Sequence, residues 1–186
     1  MKTKSEIRKE ILNIRNNMDG ELAAQKSRVI IDKVKSTEEY KNSKSIMVYM
    51  DFKNEVNTKM FISEALKEGK KVIIPYTDIK NVVIIPVEID SLDDLVECKF
   101  GYLEPRKEKI NNPYDVDKID LILVPGVAFD KKRNRVGFGK GFYDRLLKNR
   151  RAKAIALAYE FQVLDEVPAD EHDVKMDMII TEENQY

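Results

Sequence analysis

The chain has 186 residues, 42% hydrophobic and 35% charged, and its 33 Lys and Arg residues balance its 33 Asp and Glu residues. This length and apolar fraction suit a folded domain with a substantial core, and they exclude a wholly disordered chain. Cys98 is the only cysteine, which excludes an intrachain disulfide and a cysteine-rich zinc site.

The first predicted element is a helix from Ser5 to Met18. Its apolar residues recur at helical spacing within one stripe: Ile7, Ile11, Ile14 and Met18. Basic side chains lie along one edge of that stripe: Lys4, Arg8 and Arg15. The pattern predicts an amphipathic helix with cations beside its buried face.

Predicted helices and strands then alternate up to residue 87. In chain order they are the helix Gly20–Lys35, the strand Ser45–Met50, the helix Thr58–Gly69 and the strands Lys71–Pro75 and Val82–Val87. Asn57 or Thr58 can cap the start of the predicted helix Thr58–Gly69, and Gly69 follows its last turn.

The second half begins with a loop-rich stretch, residues 88–118, which contains Pro105 and Pro113. The elements predicted after it are the strand Asp120–Val124, the helix Gly141–Lys148 and the strands Ala152–Ala158 and Met178–Ile180. Alternating strands and helices predict an α/β three-layer sandwich, in which helices flank a mainly parallel central sheet. We expect residues 1–186 to form one such domain.

Sheets of this kind bind ligands at the carboxyl ends of their strands. That rule draws attention to three segments that follow predicted strands: Met50–Thr58, Pro125–Asp144 and Tyr159–Asp173.

Charge is unevenly distributed along the chain. Residues 131–153 hold ten basic side chains and one acid, Asp144, whereas residues 159–186 hold nine acids and one base, Lys175. A dense basic segment favours a phosphate-bearing ligand, a nucleic acid or a solvated surface, and charge alone leaves all three open.

The most informative stretch within the basic segment is Arg135–Asp144, with the sequence RVGFGKGFYD. Alternate glycines allow close approach of the backbone to a ligand and positive φ angles, and a predicted helix begins directly after them. Arg135 and Lys140 add full positive charges beside the loop. The pattern favours phosphate binding over a flexible basic turn, although it matches neither GxGxxG nor GxxxxGK[ST].

Two acids near this stretch are candidate metal ligands. Asp144 could hold Mg²⁺, which takes one or two carboxylates together with phosphate oxygens and water, or it could be an ordinary acid in the first turn of a helix. Asp173 lies 29 residues further on, and only tertiary folding could bring it near Asp144. A solvated position in the acidic tail is the alternative for Asp173.

Four segments together resemble the 5-formyltetrahydrofolate cyclo-ligase family, also called 5,10-methenyltetrahydrofolate synthetases. They are PGVAFDKKRNRVGFGKGFYDRLL, EHDVKMDMIIT, KSEIRKEIL and YMDFKNEVNT, and they extend the resemblance over nearly the whole length. The resemblance implies ATP-dependent conversion of 5-formyltetrahydrofolate to 5,10-methenyltetrahydrofolate through phosphorylation of the formyl oxygen, with release of ADP and phosphate. ATP and Mg²⁺ are the implied cosubstrate and metal.

The resemblance also implies which residues form the site. Those expected at the nucleotide are Lys4, Arg8, Arg135, Val136, Gly137, Phe138, Gly139, Lys140, Gly141, Phe142 and Tyr143. Those expected at the folate are Met50, Glu55, Phe138, Gly139, Lys140, Gly141 and Phe142. Arg135, Lys140 and Tyr143 are implied to be catalytic, and Asp144 and Asp173 to bind magnesium. Tyr102 is a further candidate for the pocket wall.

Two other functions compete with this interpretation. The basic segment could belong to an RNA-binding module, but an RNA-binding strand would place its aromatics on an open sheet face rather than at the start of a helix. A phosphate-binding sugar isomerase of similar architecture would need a proton-shuttling carboxylate and no nucleotide.

Further expectations concern partners and location. We expect a small-molecule substrate, no nucleic-acid partner and a monomer. No apolar run approaches the roughly 20 residues of a membrane span, and the N-terminus lacks the apolar stretch of a signal peptide, so we expect a cytoplasmic protein that makes no membrane contact.

Overall fold

A computed structural model describes residues 2–186, and the first half of this range contains seven helices and strands. They are α1 (Lys4–Asn16), α2 (Gly20–Ser36), α3 (Glu38–Asn42), β1 (Ser45–Val48), α4 (Lys59–Lys67), β2 (Lys71–Asp78) and β3 (Val83–Ile89).

The second half is richer in short elements. They are β4 (Leu95–Glu97), β5 (Leu103–Pro105), α5 (Lys107–Ile110), β6 (Leu121–Val124), β7 (Ala128–Asp130), β8 (Arg135–Val136), α6 (Phe142–Leu147), β9 (Lys153–Leu157), β10 (Val163–Leu164) and β11 (Met178–Ile180).

Six strands form the central sheet in the order β11-β9-β6-β1-β2-β3. The first five run parallel, whereas β3 pairs antiparallel with β2, with Val72 opposite Ile89 and Asp78 opposite Val83. A short turn joins these two strands, which permits the antiparallel pairing, whereas parallel neighbours need longer crossovers. The predicted α/β sandwich with a mainly parallel sheet is confirmed.

The core lies on both faces of this sheet. In β1, Ile46 and Val48 point to one face, where they join apolar residues of α2, α3 and α4, including Ile30 and Phe61. Met47 points to the other face and packs in a second cluster that includes Leu147 of α6. Successive side chains alternate across a strand, so the uninterrupted apolar run of β1 serves both layers.

Helix α1 packs against a smaller sheet of order β10-β7-β8, which the sequence did not predict. Ile7 and Ile11 are buried there against Val127 and Val136. The predicted apolar stripe is wrong at its third member, because Ile14 is 44% exposed.

Arg15 takes the buried position on α1 instead, with 1% of its surface exposed. Residues 7, 11 and 15 recur every four positions and therefore share one face of the helix. The buried face of α1 therefore consists of Ile7, Ile11 and Arg15.

Several predicted boundaries need correction. The first strand ends at Val48 rather than Met50, and the loop-rich residues 88–118 also contain the short antiparallel pair β4 and β5. Thr58 occupies the cap position of α4 but its side chain makes no capping bond; its hydroxyl instead accepts from the Asp51 N–H at 3.3 Å and donates to the Tyr49 carbonyl at 2.7 Å. Gly69 does end that helix, with φ of +78°.

No helix within residues 2–186 has the length and apolar character needed to cross a membrane.

Candidate functional site

A cavity of about 760 Å³ opens at the carboxyl ends of the parallel strands. One wall is a face of α1, and the facing walls come from the segments after β1 and β6 and from the glycine-rich loop between β8 and α6. The location agrees with the rule that such sheets bind ligands at the ends of their strands.

The predicted site residues come from distant parts of the chain, yet all of them line this cavity. They are Lys4, Arg8, Met50, Glu55, Arg135, Val136, Gly137, Phe138, Gly139, Lys140, Gly141, Phe142, Tyr143, Asp144 and Asp173. Tyr102 also lines it. Their individual roles remain predictions, but the folded chain gathers them around one space.

The three alternate glycines of the loop serve different purposes. Gly139 and Gly141 have φ angles of +95° and +71°, which favour glycine. Gly137 does not have a positive φ, so the prediction fails there, but a Cβ atom at this position would lie 2.7 Å from Arg135 Nη1. A Cβ atom at residue 137 would therefore displace the Arg135 guanidinium, which packs directly against the Gly137 backbone.

Helix α6, which follows the loop, has only six residues, so its dipole contributes less to the site than the sequence suggested. The positive potential comes mainly from side chains. Arg8 donates from Nε to the Gly137 carbonyl at 2.7 Å, which ties α1 to the loop, while Lys140 is exposed at the cavity rim.

Lys4 links α1 to the acidic segment near the C-terminus. Its Nζ lies 2.6 Å from Oδ2 of Asp170 and 2.6 Å from Oδ2 of Asp173. Burial opposes the charge of Lys4, but the hydrogen bonds and negative charges of the two aspartates outweigh it and raise the pKa of Lys4. The ammonium is therefore a firm positive charge at the cavity wall.

Asp144 is held by the loop that precedes it. Its Oδ1 accepts a hydrogen bond from Arg135 Nη2 at 3.1 Å and another from the backbone N–H of Val174 at 3.4 Å. Because Val174 follows Asp173, the fold brings the two predicted metal ligands to neighbouring positions.

The donor set at these two acids fits a magnesium ion shared with phosphates. Within residues 2–186, no hydrogen bond reaches Oδ2 of Asp144 or Oδ1 of Asp173, so each keeps a free carboxylate oxygen. The described chain gathers no cluster of three or more His, Cys, Asp or Glu side chains suited to a metal. Mg²⁺ commonly takes one or two carboxylates and completes its shell with phosphate oxygens and water.

Glu55 also lines the cavity and lies at the end of a tight turn. Lys53 and Asn54 both have positive φ, and the turn lets the Phe52 N–H donate to Glu55 Oε2 at 3.0 Å. Burial raises the pKa of Glu55 to about 7, although the positive charge of Arg15 and the Phe52 N–H oppose the shift. A buried carboxylate with a raised pKa is typical of a functional position.

The turn is fixed to α1 by Asn54, whose amide donates to the carbonyls of Arg15 and Met18 at 3.0 and 2.9 Å. These bonds tie the turn to one carbonyl in the last turn of α1 and to another just beyond its end. The C-terminal end of α1 and the Glu55 turn therefore form one unit.

Aromatic side chains form the rim next to Glu55. Tyr102 makes an edge contact with Phe52, with ring centroids 5.8 Å apart, and stacks on Phe100 at 6.2 Å. Burial, with a contribution from Cys98, raises the pKa of Tyr102 to about 12, so its hydroxyl stays protonated at neutral pH. Phe52 and Tyr102 line the cavity and offer flat apolar surface to a ligand, whereas Phe100 is outside its lining.

Three charged residues of the cavity wall were not predicted as site residues: Arg15, Lys53 and Asp170. Arg15 could have been found, because Lys4, Arg8 and Arg15 follow one edge of α1. Asp170 carried no local signal, since an acid in an acidic segment resembles a solvated one.

Comparison with known proteins agrees with this geometry. A sequence model of the 5-formyltetrahydrofolate cyclo-ligase family matches residues 1–182. The 5-formyltetrahydrofolate cyclo-ligase of Haemophilus influenzae is 31% identical over 180 residues, covering 93% of this chain and 94% of that protein.

Two solved structures share the fold over nearly the whole chain. The Aquifex aeolicus 5,10-methenyltetrahydrofolate synthetase has a TM-score of 0.85 and 37% identity, covering 98% of this chain and 91% of that one. The synthetase from Mycoplasma pneumoniae has a TM-score of 0.77 and 28% identity, with 96% and 98% covered.

Proposed function

The chain belongs to the 5-formyltetrahydrofolate cyclo-ligase family, and we propose that it uses ATP to convert 5-formyltetrahydrofolate to 5,10-methenyltetrahydrofolate. One observation carries the proposal for this chain: the cationic glycine loop and the buried Glu55 pocket line the same cavity. A phosphate donor and a folate bound to these two parts would meet inside it.

The proposed reaction must remove the formyl oxygen, which is a poor leaving group until it is phosphorylated. The formyl oxygen attacks the γ-phosphorus, the bond from that phosphorus to the β,γ-bridging oxygen breaks, and ADP leaves with the electron pair. N10 then attacks the formyl carbon and loses its proton, while the carbon–oxygen bond breaks and phosphate departs. Little covalent chemistry is required of the protein, so positioning and charge stabilisation supply the rate enhancement.

We assign the phosphates to the cationic side of the cavity. Lys4 and Arg8 approach from α1, Arg135 from β8 and Lys140 from the loop. Gly139 and Gly141 leave the loop backbone without side chains where the phosphates would lie. Tyr143 contacts the Arg135 guanidinium, which lies 5.7 Å from its ring centroid, and so supports the orientation of that arginine.

We assign magnesium to Asp144 and Asp173. When bound, the ion would neutralise charge on the transferring phosphates. The two free carboxylate oxygens described above support this assignment, and Arg135 and Lys4 hold the carboxylates in place.

We assign the pterin to Glu55 and Met50, with Phe138 beside the glycine loop as a stacking surface. A carboxylate accepts two hydrogen bonds from an aminopyrimidinone edge. In the free protein the raised pKa of Glu55 leaves it partly protonated near pH 7. The N–H donors of the pterin would favour the ionised form, so the pocket gains its charge as the substrate binds.

We also propose that the enzyme acts as a monomer in the cytoplasm. All the residues assigned to the site come from one chain, and ATP is the expected phosphate donor. Sedimentation of the purified protein with and without both substrates tests the oligomeric state.

The test of the function measures binding and turnover together. We expect MgATP and 5-formyltetrahydrofolate to give the absorbance of the methenyl product, and calorimetry to detect nucleotide binding that depends on magnesium. Lys140→Ala should lower activity at saturating folate, and Glu55→Ala should mainly raise the folate concentration required.

Lys148→Ala is the matched control for Lys140→Ala, since Lys148 belongs to the same basic segment but is exposed outside the cavity. RNA binding without nucleotide binding would overturn the proposal, as would sugar-phosphate isomerisation without a nucleotide requirement. An unchanged folate requirement in Glu55→Ala would remove that residue from the site.

A further inference from the structure

Arg15 is a buried cation in the cavity wall with few partners. Only 1% of its surface is exposed, and the single hydrogen bond of its side chain runs from Nη1 to the Gly126 carbonyl at 3.2 Å. Its Nε is buried without an acceptor, and no carboxylate oxygen within residues 2–186 lies within 4.0 Å of its guanidinium. Most of its five N–H donors are therefore unused.

Burying a charged group without an ionic partner is costly, so such residues are usually paired. Arg135, the other buried arginine of the cavity, pairs with Asp144, whereas Arg8 is only half-buried and donates to the Gly137 carbonyl. Arg15 differs from Arg135 because no carboxylate pairs with it directly, and the charge of Glu55 acts on it only from beyond 4.0 Å. An anionic group entering the cavity would provide a direct partner.

The position of Arg15 indicates which group that is. On one side its Nη1 donates to the Gly126 carbonyl, and the adjoining Pro125 carbonyl accepts a hydrogen bond from Nη1 of Arg135, a residue assigned to the phosphates, at 3.3 Å. On the other side Asn54, next to Glu55, donates to its backbone carbonyl at 3.0 Å. Arg15 thus stands at the border between the part of the cavity assigned to phosphates and the part assigned to the pterin.

We propose that Arg15 is a catalytic residue that contacts the phosphoryl group as it passes from the nucleotide to the formyl oxygen. The inference rests on the proposed function. Negative charge on the three non-bridging oxygens must be stabilised while the phosphorus–oxygen bond to ADP breaks and the bond to the formyl oxygen forms. A guanidinium in a water-poor wall does this effectively, because its planar set of donors is already oriented.

Arg15→Gln and Arg15→Lys test the assignment. We expect kcat to fall about 100-fold or more in Arg15→Gln, in line with the loss of one transition-state donor. MgADP should bind within about 3-fold of the wild type, because it lacks the transferring group. Arg15→Lys should recover only part of the loss, since an ammonium lacks the planar fork.

A binding measurement separates this role from a purely structural one. MgADP with aluminium fluoride mimics the phosphoryl group in transfer, and in the presence of the folate we expect Arg15→Gln to bind it at least 10-fold more weakly. Arg28→Gln is the control, because Arg28 is an exposed arginine of α2 outside the cavity. Thermal unfolding of each variant verifies that it is folded.

Three results would overturn the inference: unchanged kcat in Arg15→Gln, an equal loss of affinity for MgADP and for its aluminium fluoride complex, or full activity of Arg15→Lys. If the wild type itself forms no methenyl product from MgATP and the folate, the proposed function fails instead. The two failures are therefore distinguishable.

Discussion

Arg135 donates from Nη2 to Asp144 Oδ1 at 3.1 Å, so a predicted phosphate ligand is paired with a predicted metal ligand. Lys4 does the same with Asp173, at 2.6 Å. In the free protein each cation compensates the carboxylate beside it. When a magnesium–nucleotide complex binds, the cations would pair with its phosphates and the carboxylates would bind its metal. Each charged side chain would therefore keep a partner of opposite charge.

The first prediction concerns this exchange. We expect Mg²⁺ alone to bind weakly, and MgADP to bind about 10-fold or more tightly than ADP in the presence of a chelator, a typical size for coupled binding. In Asp144→Asn the enhancement by magnesium should shrink to less than about 3-fold. Calorimetric titrations with and without chelator measure both quantities. Equal enhancement in the variant and the wild type would contradict the assignment of Asp144.

The second prediction concerns Lys4. Lys4→Met removes a positive charge assigned to the phosphates, so MgADP affinity should fall by about 10-fold while folate affinity stays unchanged. Lys9→Met is the control on the same helix, because Lys9 is exposed and does not line the cavity. Equal effects of the two variants would mean that Lys4 acts only through the net charge of the helix.

The sequence predicted the fold well where a local pattern carries the information. The buried run of β1 and the glycine after α4 follow from side-chain alternation and from the need for positive φ, and both are present. The small sheet was missed because β8 and β10 have only two residues each, which is too short for a periodic pattern. Their pairing depends on tertiary contacts.

Site residues that belong to a recognisable motif could be predicted from the sequence. Residues whose position depends on burial in the folded chain were harder to predict. Apolarity favoured Ile14 for the core, yet Ile14 is exposed and Arg15 is buried. From Ile11, a step of three residues leads to Ile14 and a step of four leads to Arg15, and the folded chain buries the residue reached by the step of four. The role of Gly137 was likewise hidden, because the space that it leaves is filled by Arg135 rather than by a ligand.

The third prediction concerns the stability of the free protein against pH. The pKa of Glu55 is about 7 in the folded state and 4.5 for an unperturbed glutamate, chiefly because of burial. Between these values the folded state holds a proton that the unfolded state has released, so stability falls as pH rises from about 4.5 to about 7. The fall from this group amounts to at most about 3 kcal/mol.

Glu55→Gln removes that decline, so the variant should be more stable than the wild type at pH 8 and about equal to it at pH 4.5. Urea unfolding at the two pH values measures the difference. Glu64→Gln serves as the control of opposite sign, since hydrogen bonds from Lys35 and Arg28 lower the pKa of Glu64 and its charge stabilises the fold at high pH. A Glu55→Gln variant less stable than the wild type at pH 8 would refute the burial argument.

The last prediction concerns the glycine that makes room for Arg135. In Gly137→Ala the new Cβ would lie 2.7 Å from Arg135 Nη1, so the guanidinium must move from its positions on Asp144 and on the Pro125 carbonyl. We expect MgADP affinity to fall about 10-fold. We also expect the free energy of unfolding to fall by about 1–3 kcal/mol, the usual effect of overpacking.

Gly20→Ala is the control, because nothing lies within 4 Å of its Cβ position at the start of α2. It should leave affinity unchanged and alter stability by less than about 1 kcal/mol. If Gly137→Ala bound MgADP as tightly as Gly20→Ala, the orientation of Arg135 would not matter for the nucleotide.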